Sequence, residues 1–239
     1  MTEYATALES TEDLAEGTMG LHFTKPADFR FKPGQAIDVI LDGHAGTDEN
    51  GRHTFSIVSA PSDDQLVVAT RMRDSAFKRA LQALPVGAPV TIDGPSGSLT
   101  LHNDRTRPAV FIAGGIGITP FVSILRNAAE HQLPHALLLL YSNRRPEDAA
   151  FLAELQQLET SNLNFRLLAT MTGMDKSQRS WDGDTTQIDA DFVKRAVADL
   201  SRPVYYLVGP PGMVEAMRKV LERIGIDDDD VRSEEFYGY

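Results

Sequence analysis

Eighteen consecutive uncharged residues, Pro108 to Leu125, contain three glycines and an internal proline. The run meets the ~18-residue minimum for a membrane helix. Gly114, Gly115, Gly117 and Pro120 would break such a helix in its middle. The order instead fits a buried strand, a glycine turn and a helix start. Val110, Phe111 and Ile112 extend, the glycines admit positive φ and close backbone approach, and Thr119 caps a helix with Pro120 at its first position. Such a turn directs free amide hydrogens and the positive end of a helix at one point, where a phosphate is favoured. Because Gly115-x-Gly117-x-x-Pro120 departs from G-x-G-x-x-G, the turn taken alone is a candidate dinucleotide site and nothing firmer.

Two patterns flank this turn. The first hundred residues hold short β-rich runs at 20–24, 36–41, 54–59, 65–70 and 89–92, separated by Pro-Gly, Asp-Gly and Ser-Asp-Asp turn signals. They predict an antiparallel barrel or sandwich. From Arg107 onward, strands at 109–113, 136–141, 165–170 and 204–208 alternate with helices at 119–131, 146–158, 190–200 and 212–224. That alternation predicts an α/β doubly wound parallel sheet. The charged stretch 101–108 reads as the linker between two domains, 1–103 and 107–239. The buried run Val204–Val208 leads into a second glycine-proline turn, Gly209-Pro210-Pro211-Gly212-Met213. In a doubly wound sheet ligands lie beyond the carboxyl ends of the strands, so two such exits are expected to flank one crevice.

The charge balance, 23 basic against 34 acidic residues, gives −11 and disfavours nucleic acid. Zero cysteines exclude disulfides, zinc thiolates and cysteine-ligated iron-sulfur clusters within the chain. No metal motif is present: Pro134 separates His131 from His135, which read as surface residues. The first residues lack a basic stretch followed by an apolar one, so a cytoplasmic protein without a membrane span is expected.

A further candidate site lies in the barrel half. Around Phe55, which offers a flat face, and Ser56, which offers a hydroxyl, stand Arg52 or His53 as a cationic or polar head and Thr54. This suits an anionic cofactor with a flat heteroaromatic ring. Downstream, Arg71-Met72-Arg73 ends a strand, and Asp74 or Ser75 caps a helix beginning Ala76-Phe77 that can hold a phosphate.

The order of these motifs resembles the ferredoxin-NADP+ reductase superfamily. Six segments carry the likeness: 31–35, His53-Thr54-Phe55-Ser56, Gly94-Pro95-Ser96-Gly97, 113–120, 209–213 and Glu234-Glu235-Phe236. The resemblance implies an N-terminal Greek-key barrel for FAD and a C-terminal nicotinamide domain. It also implies NAD(P)H-dependent oxidoreductase activity, with hydride passing from nicotinamide to flavin N5. Phe55 would lie against the flavin ring and Ser56 would bond its N5 edge. Arg71, Met72, Arg73, Ser75, Ala76 and Phe77 would follow its ring and diphosphate. The family arginine is replaced by His53, with Arg52 one residue earlier as the alternative phosphate contact. Gly114, Gly115, Gly117, Thr119 and Pro120 would hold the dinucleotide, Thr119 near the nicotinamide, with Gly209, Pro210 and Met213 lining the crevice. Glu234 and Phe236 match the terminal acid and aromatic, with Tyr237 or Tyr239 as alternative stacking rings. Ser142, Asn143, Arg144 and Arg145 sit where a 2′-phosphate is discriminated, Arg144 or Arg145 being its candidate partner, and Met171 in place of an arginine favours NADH over NADPH.

The expected acceptor is a separate acidic redox protein, such as a ferredoxin, a flavodoxin or an oxygenase component. The alternatives are small acceptors, free flavin or quinone, and a non-catalytic electron-transfer subunit. Arg71, Arg73, Lys78 and Arg79 would either steer an acidic carrier or serve the flavin phosphates.

Overall fold

Strands with one face on a core and one on water alternate in polarity, which is the pattern of the first hundred residues. In a computed structural model, which describes residues 2–41 and 51–237, six of them form one antiparallel sheet. These are β1 (Thr2–Ala15), β2 (Thr18–Thr24), β3 (Ala36–Ile40), β4 (Arg52–Ser56), β5 (Gln65–Arg71) and β6 (Pro89–Ser96), in the order β4-β3-β6-β1-β2-β5. The sheet closes just past β4, where Ile57 bridges Val68 and the Val58 amide donates to the Val67 carbonyl at 2.8 Å. The result is a barrel around wholly buried Leu21, Phe23, Ile37, Ile57, Leu66 and Val68.

No strand is expected from the sequence before Gly20, yet β1 runs for 14 residues. It mixes polar residues with Tyr4, Leu8, Leu14 and alanines, and only Leu8 is buried. Its place is fixed by backbone pairing on both sides, since Thr2–Ala7 pairs with β6 and Leu8–Ala15 with β2 across bulges. A strand held this way leaves little trace in hydrophobic periodicity. The helix α1 (Ala76–Gln82) follows β5, and of the two capping candidates Ser75 is the cap, its Oγ accepting from the Lys78 amide at 3.2 Å.

The second sheet is parallel: β7 (Ala109–Gly114), β8 (Leu137–Asn143), β9 (Phe165–Met171), β10 (Val204–Gly209) and β11 (Val231–Glu235), in the order β11-β10-β7-β8-β9. β7 and β10 are buried along their whole length, as central parallel strands are. The helices are α2 (Thr119–Glu130), α3 (Leu152–Ser161), α4 (Ala190–Ala196) and α5 (Pro211–Arg223). Strand order runs outward from β7 through β8 to β9 and then returns to β10 on the other side of β7. The switch point therefore lies at the ends of β7 and β10.

The chain divides into two compact units, 1–100 with 119–127, and 101–118 with 128–239. Ser123 Oγ on α2 donates to the Ser59 carbonyl at 2.7 Å within the first of these. No helix among the described residues is long and apolar enough to cross a membrane.

Several expectations need correction. α3 begins at Leu152 and not at Pro146. The intervening Pro146–Asp148 is a single 3-10 turn, and Phe151 at φ 61 interrupts the helical path. α4 ends at Ala196, short of Leu200. The stretch 101–108 is no bare linker, and His135 is no surface residue: His102 is 8% and His135 4% exposed. The Tyr206 hydroxyl accepts from the His102 amide and meets His102 Nδ1, both at 2.9 Å. His135 Nε2 donates to the His102 carbonyl at 3.1 Å. His102, in a mostly polar stretch, docks on β10 because Tyr206, 104 residues away, offers it a partner.

Candidate functional site

At the switch point the glycines divide their labour. Among Gly114, Gly115, Gly117 and Gly209, only Gly115 has a left-handed backbone, φ +54, and a Cβ built there meets nothing within 4 Å. A Cβ at Gly114 would run into Met213 Sδ, and one at Gly117 would lie 2.5 Å from the Val208 carbonyl oxygen. The expectation that all three glycines of the turn admit positive φ is thus corrected. Gly114 and Gly117 let the two strand exits pack against each other, and Gly115 alone leaves an open approach. Gly115–Ile118 winds as a 3-10 turn directly into α2, so Thr119 is the first α-helical residue and not a cap, with Pro120 second. Thr119 is 1% exposed.

Beside this turn, β8 pairs Ser142 with Gly114. Arg145 is committed to Asp148 through two bonds, Nε to Oδ2 at 3.0 Å and Nη2 to Oδ1 at 2.8 Å. The Arg144 side chain is exposed and makes no hydrogen bond or ion pair among the described residues. Met171 is wholly buried and presents nothing to a ligand. The sequence gives no role to Asn143, whose side-chain nitrogen and oxygen are both buried at the end of β8 without a partner among the described residues. Its only sequence signal was its position at a strand exit.

In the barrel, alternation along β4 separates two sets of side chains. His53 and Phe55 share one face. Their rings stack at 4.8 Å and 19°, and Phe77 of α1 lies 5.3 Å from His53. Phe55 is only 5% exposed, so the ring available at the surface of this stack is His53. Arg52 and Thr54 take the other face. Arg52 Nη1 lies 3.1 Å from both Asp38 Oδ2 and Asp93 Oδ2, Nη2 lies 3.6 Å from Glu3, and the Thr54 hydroxyl donates to Asp38. Arg52 is therefore committed to carboxylates across the strand from His53. Ser56 is buried at the end of β4, opposite Ala36.

Arg71 ends β5, and the amide of Met72, the next residue, is held by the Gly17 carbonyl at 2.7 Å. In the next turn the Ser75 amide donates to the Arg73 carbonyl at 2.9 Å. Ser75 Oγ spends an acceptor on its cap and keeps its O–H to donate. Phe77 and Lys78 are buried, and the Lys78 ammonium donates to the Arg71 carbonyl at 2.7 Å. Burial, with the charge of Arg73 adding to it, pushes the Lys78 pKa down. The donor set of Ser75, Arg71, Arg73 and Lys78 is cationic, and it suits a phosphate group.

The chain's end lies along β10. β11 pairs in parallel with it, setting Glu234 beside Val208, and the Phe236 amide donates to the Gly209 carbonyl at 3.0 Å. Phe236 is thereby fixed at the second glycine exit, next to Pro210 and Met213 in sequence. Burial pushes the Glu234 carboxyl up from its ordinary value. Tyr237 is 73% exposed, with its hydroxyl donating to Glu235, and Tyr239 lies outside the described residues.

Comparison with known proteins agrees with this arrangement. Residues 111–219 match the family described as oxidoreductase NAD-binding domain. The reductase component of propane 2-monooxygenase from Rhodococcus jostii (strain RHA1) is 29% identical over 218 residues, covering 89% of this chain and 57% of that protein. Its counterpart from Mycolicibacterium smegmatis is 29% identical over 216 residues, covering 89% and 61%. The chain thus spans about three fifths of the length of these relatives. Among solved structures, Amycolatopsis cytochrome P450 reductase GcoB superposes with a TM-score of 0.82 at 22% identity, over 98% of this chain and 70% of that one. A ferredoxin NADP+ reductase from Neisseria gonorrhoeae with bound FAD and NADP superposes with a TM-score of 0.80 at 20% identity, over 98% of both.

Proposed function

We propose that this chain, which shares the fold of ferredoxin-NADP+ reductases and whose residues 111–219 match the oxidoreductase NAD-binding domain family, is an NAD(P)H-dependent flavoprotein reductase. Residues 1–103 hold FAD and residues 107–239 hold the nicotinamide dinucleotide. When bound, the flavin supplies the chemistry, taking a hydride from the nicotinamide at N5 and releasing electrons to a separate acceptor. The protein's part is alignment and electrostatics, so no acid-base pair is required of it.

The observation that carries this reading is the contrast among the switch-point glycines. Gly114 and Gly117 are closed by the protein's own atoms, and Gly115 is left open with a backbone few other residues adopt. An open left-handed glycine between a strand and a helical turn suits close approach by a dinucleotide phosphate. Thr119 and Pro120 continue that turn, and Pro210 and Met213 wall its other side. Ser56 bonds the reactive edge of the flavin, and the stack of His53, Phe55 and Phe77 supports its ring. Ser75, Ala76 and Phe77, with Arg71 and Arg73, hold its phosphates. Phe236 is the ring that covers the flavin, and Glu234, its carboxyl raised by burial, stands beside it. NADH is favoured because Arg145 is tied to Asp148 and Met171 is buried, which leaves Arg144 alone to meet a 2′-phosphate.

The relatives named as a propane 2-monooxygenase reductase component and a toluate 1,2-dioxygenase electron transfer component support an oxygenase component as acceptor. One observation favours a second reading, reduction of free flavin or quinone: of the cations expected to steer an acidic carrier, Lys78 is buried and Arg79 is paired with Asp74.

The test is to denature the purified protein, chromatograph what it releases, and measure turnover with NADH and NADPH against a panel of acceptors. FAD and a preference for NADH are expected. Release of FMN would overturn the FAD assignment, and no bound flavin after reconstitution would overturn the whole reading.

A further inference from the structure

Lys78 is 6% exposed, and its ammonium has one hydrogen-bond partner among the described residues, the Arg71 carbonyl at 2.7 Å. An ammonium carries three donors, so two remain to be satisfied. No carboxylate pairs with it among the described residues, although a buried charge is costly unless it is paired. Its charged neighbours make matters worse. Arg71 and Arg73 stand within the same turn between β5 and α1, Arg73 raises the cost of charging Lys78, and Asp74, the acid of that turn, is paired with Arg79. A methionine of similar length would fill the space beside Phe77 and Leu81 without that penalty. A cationic residue kept here calls for an anion from outside the chain.

The two groups on β4 that the sequence offered to such an anion are otherwise engaged. Arg52 is held by Asp38, Asp93 and Glu3, and His53 is stacked on Phe55. We propose that Lys78 neutralises the diphosphate of the flavin in this chain, filling the role that the family pattern gives to an arginine where His53 stands. The inference rests on the flavin reading above and adds Lys78, as the buried cation, to the Arg71 and Arg73 that reading put at the phosphates. Lys78 is buried on α1 with its head at the end of β5, as long amphipathic side chains bury their stems while placing a charged head elsewhere.

The experiment titrates apoprotein with FAD, FMN and riboflavin, for wild type, Lys78→Met and Lys78→Arg, following flavin fluorescence. The thermal unfolding of each apoprotein is recorded with and without inorganic pyrophosphate. Lys78→Met should bind FAD and FMN about ten- to a hundredfold more weakly, the loss of one charge-assisted bond. Riboflavin, which has no phosphate, should bind it as it binds wild type. Lys78→Arg should recover most of the loss. The Lys78→Met apoprotein should be as stable as wild type or more so, because an uncompensated charge has been removed, and pyrophosphate should protect wild type and not this variant. Equal FAD affinity in Lys78→Met, or an equal loss for riboflavin, would overturn the proposal. A wild type that binds none of the three flavins would instead overturn the flavin reading, a separate outcome.

Discussion

At the scale of single residues, what matters is which atoms already have partners. Glu3, Asp93 and Asp38 occupy one register row across β1, β6 and β3, and Arg52 is the cation they share. Neighbouring like charges repel across strands, so Arg52→Ala leaves a row of unpaired acids, one of which, Asp93, already has a buried oxygen without a partner. We expect it to cost about 1–3 kcal/mol in urea unfolding, with FAD affinity unchanged once folded. Weakened FAD binding in a fully folded Arg52→Ala protein would return Arg52 to the flavin site. The turn glycines make a second pair. Gly117→Ala pushes a methyl against the Val208 carbonyl and should lower the melting temperature clearly. Gly115→Ala meets no atoms and carries only the left-handed penalty of about 1–2 kcal/mol. Its main effect should be a higher KM for NADH with the flavin spectrum intact. Equal melting temperatures for the two would contradict the division of roles between these glycines.

At the scale of elements, 101–108 and β10 are joined by buried imidazoles. Burial lowers the pKa of both His102 and His135, and each also feels the other or a nearby arginine, Arg107 and Arg232 for His102 and Arg105 for His135. The neutral forms are the ones the fold accommodates. Above the ordinary imidazole value, ~6.5, folded and unfolded chains are both neutral there and stability does not depend on these groups. Below it the unfolded chain takes up protons that the folded one resists, so stability falls as pH falls from ~6.5 toward the lowered values. Urea midpoints at pH 7.5 and 5.5 should therefore differ, and the difference should shrink in His135→Gln. An unchanged pH dependence in that variant would place the acid sensitivity elsewhere. The helices show how local signals mislead by a turn: the residues after Pro146 have helical character, yet the Arg145–Asp148 ion pair and the left-handed Phe151 delay α3 to Leu152.

At the scale of the whole molecule, the proposed reaction needs Phe236 to yield to the nicotinamide. Phe236→Ser should tighten NADH binding severalfold and shift the flavin absorbance. An effect seen with Tyr237→Ser and absent in Phe236→Ser would move the stacking role along the tail. The two sheets, the order of the motifs and the glycine-proline exits were legible in the sequence, because strand and helix periodicities and the need for glycine are short-range properties of the backbone. Neither β1 nor the fate of the charged and polar side chains was legible. β1 is held by hydrogen bonds to two strands, one of them nearly ninety residues away, and commits only Leu8 and part of Tyr4 to the core. Arg52 finds Asp93 41 residues later, His102 finds Tyr206 after 104, and Lys78 is buried by the barrel it closes. Sequence fixed which backbone shapes were possible, and tertiary pairing decided which charges were neutralised and which were left to meet a ligand, because burial and ion pairing depend on neighbours that local sequence does not specify.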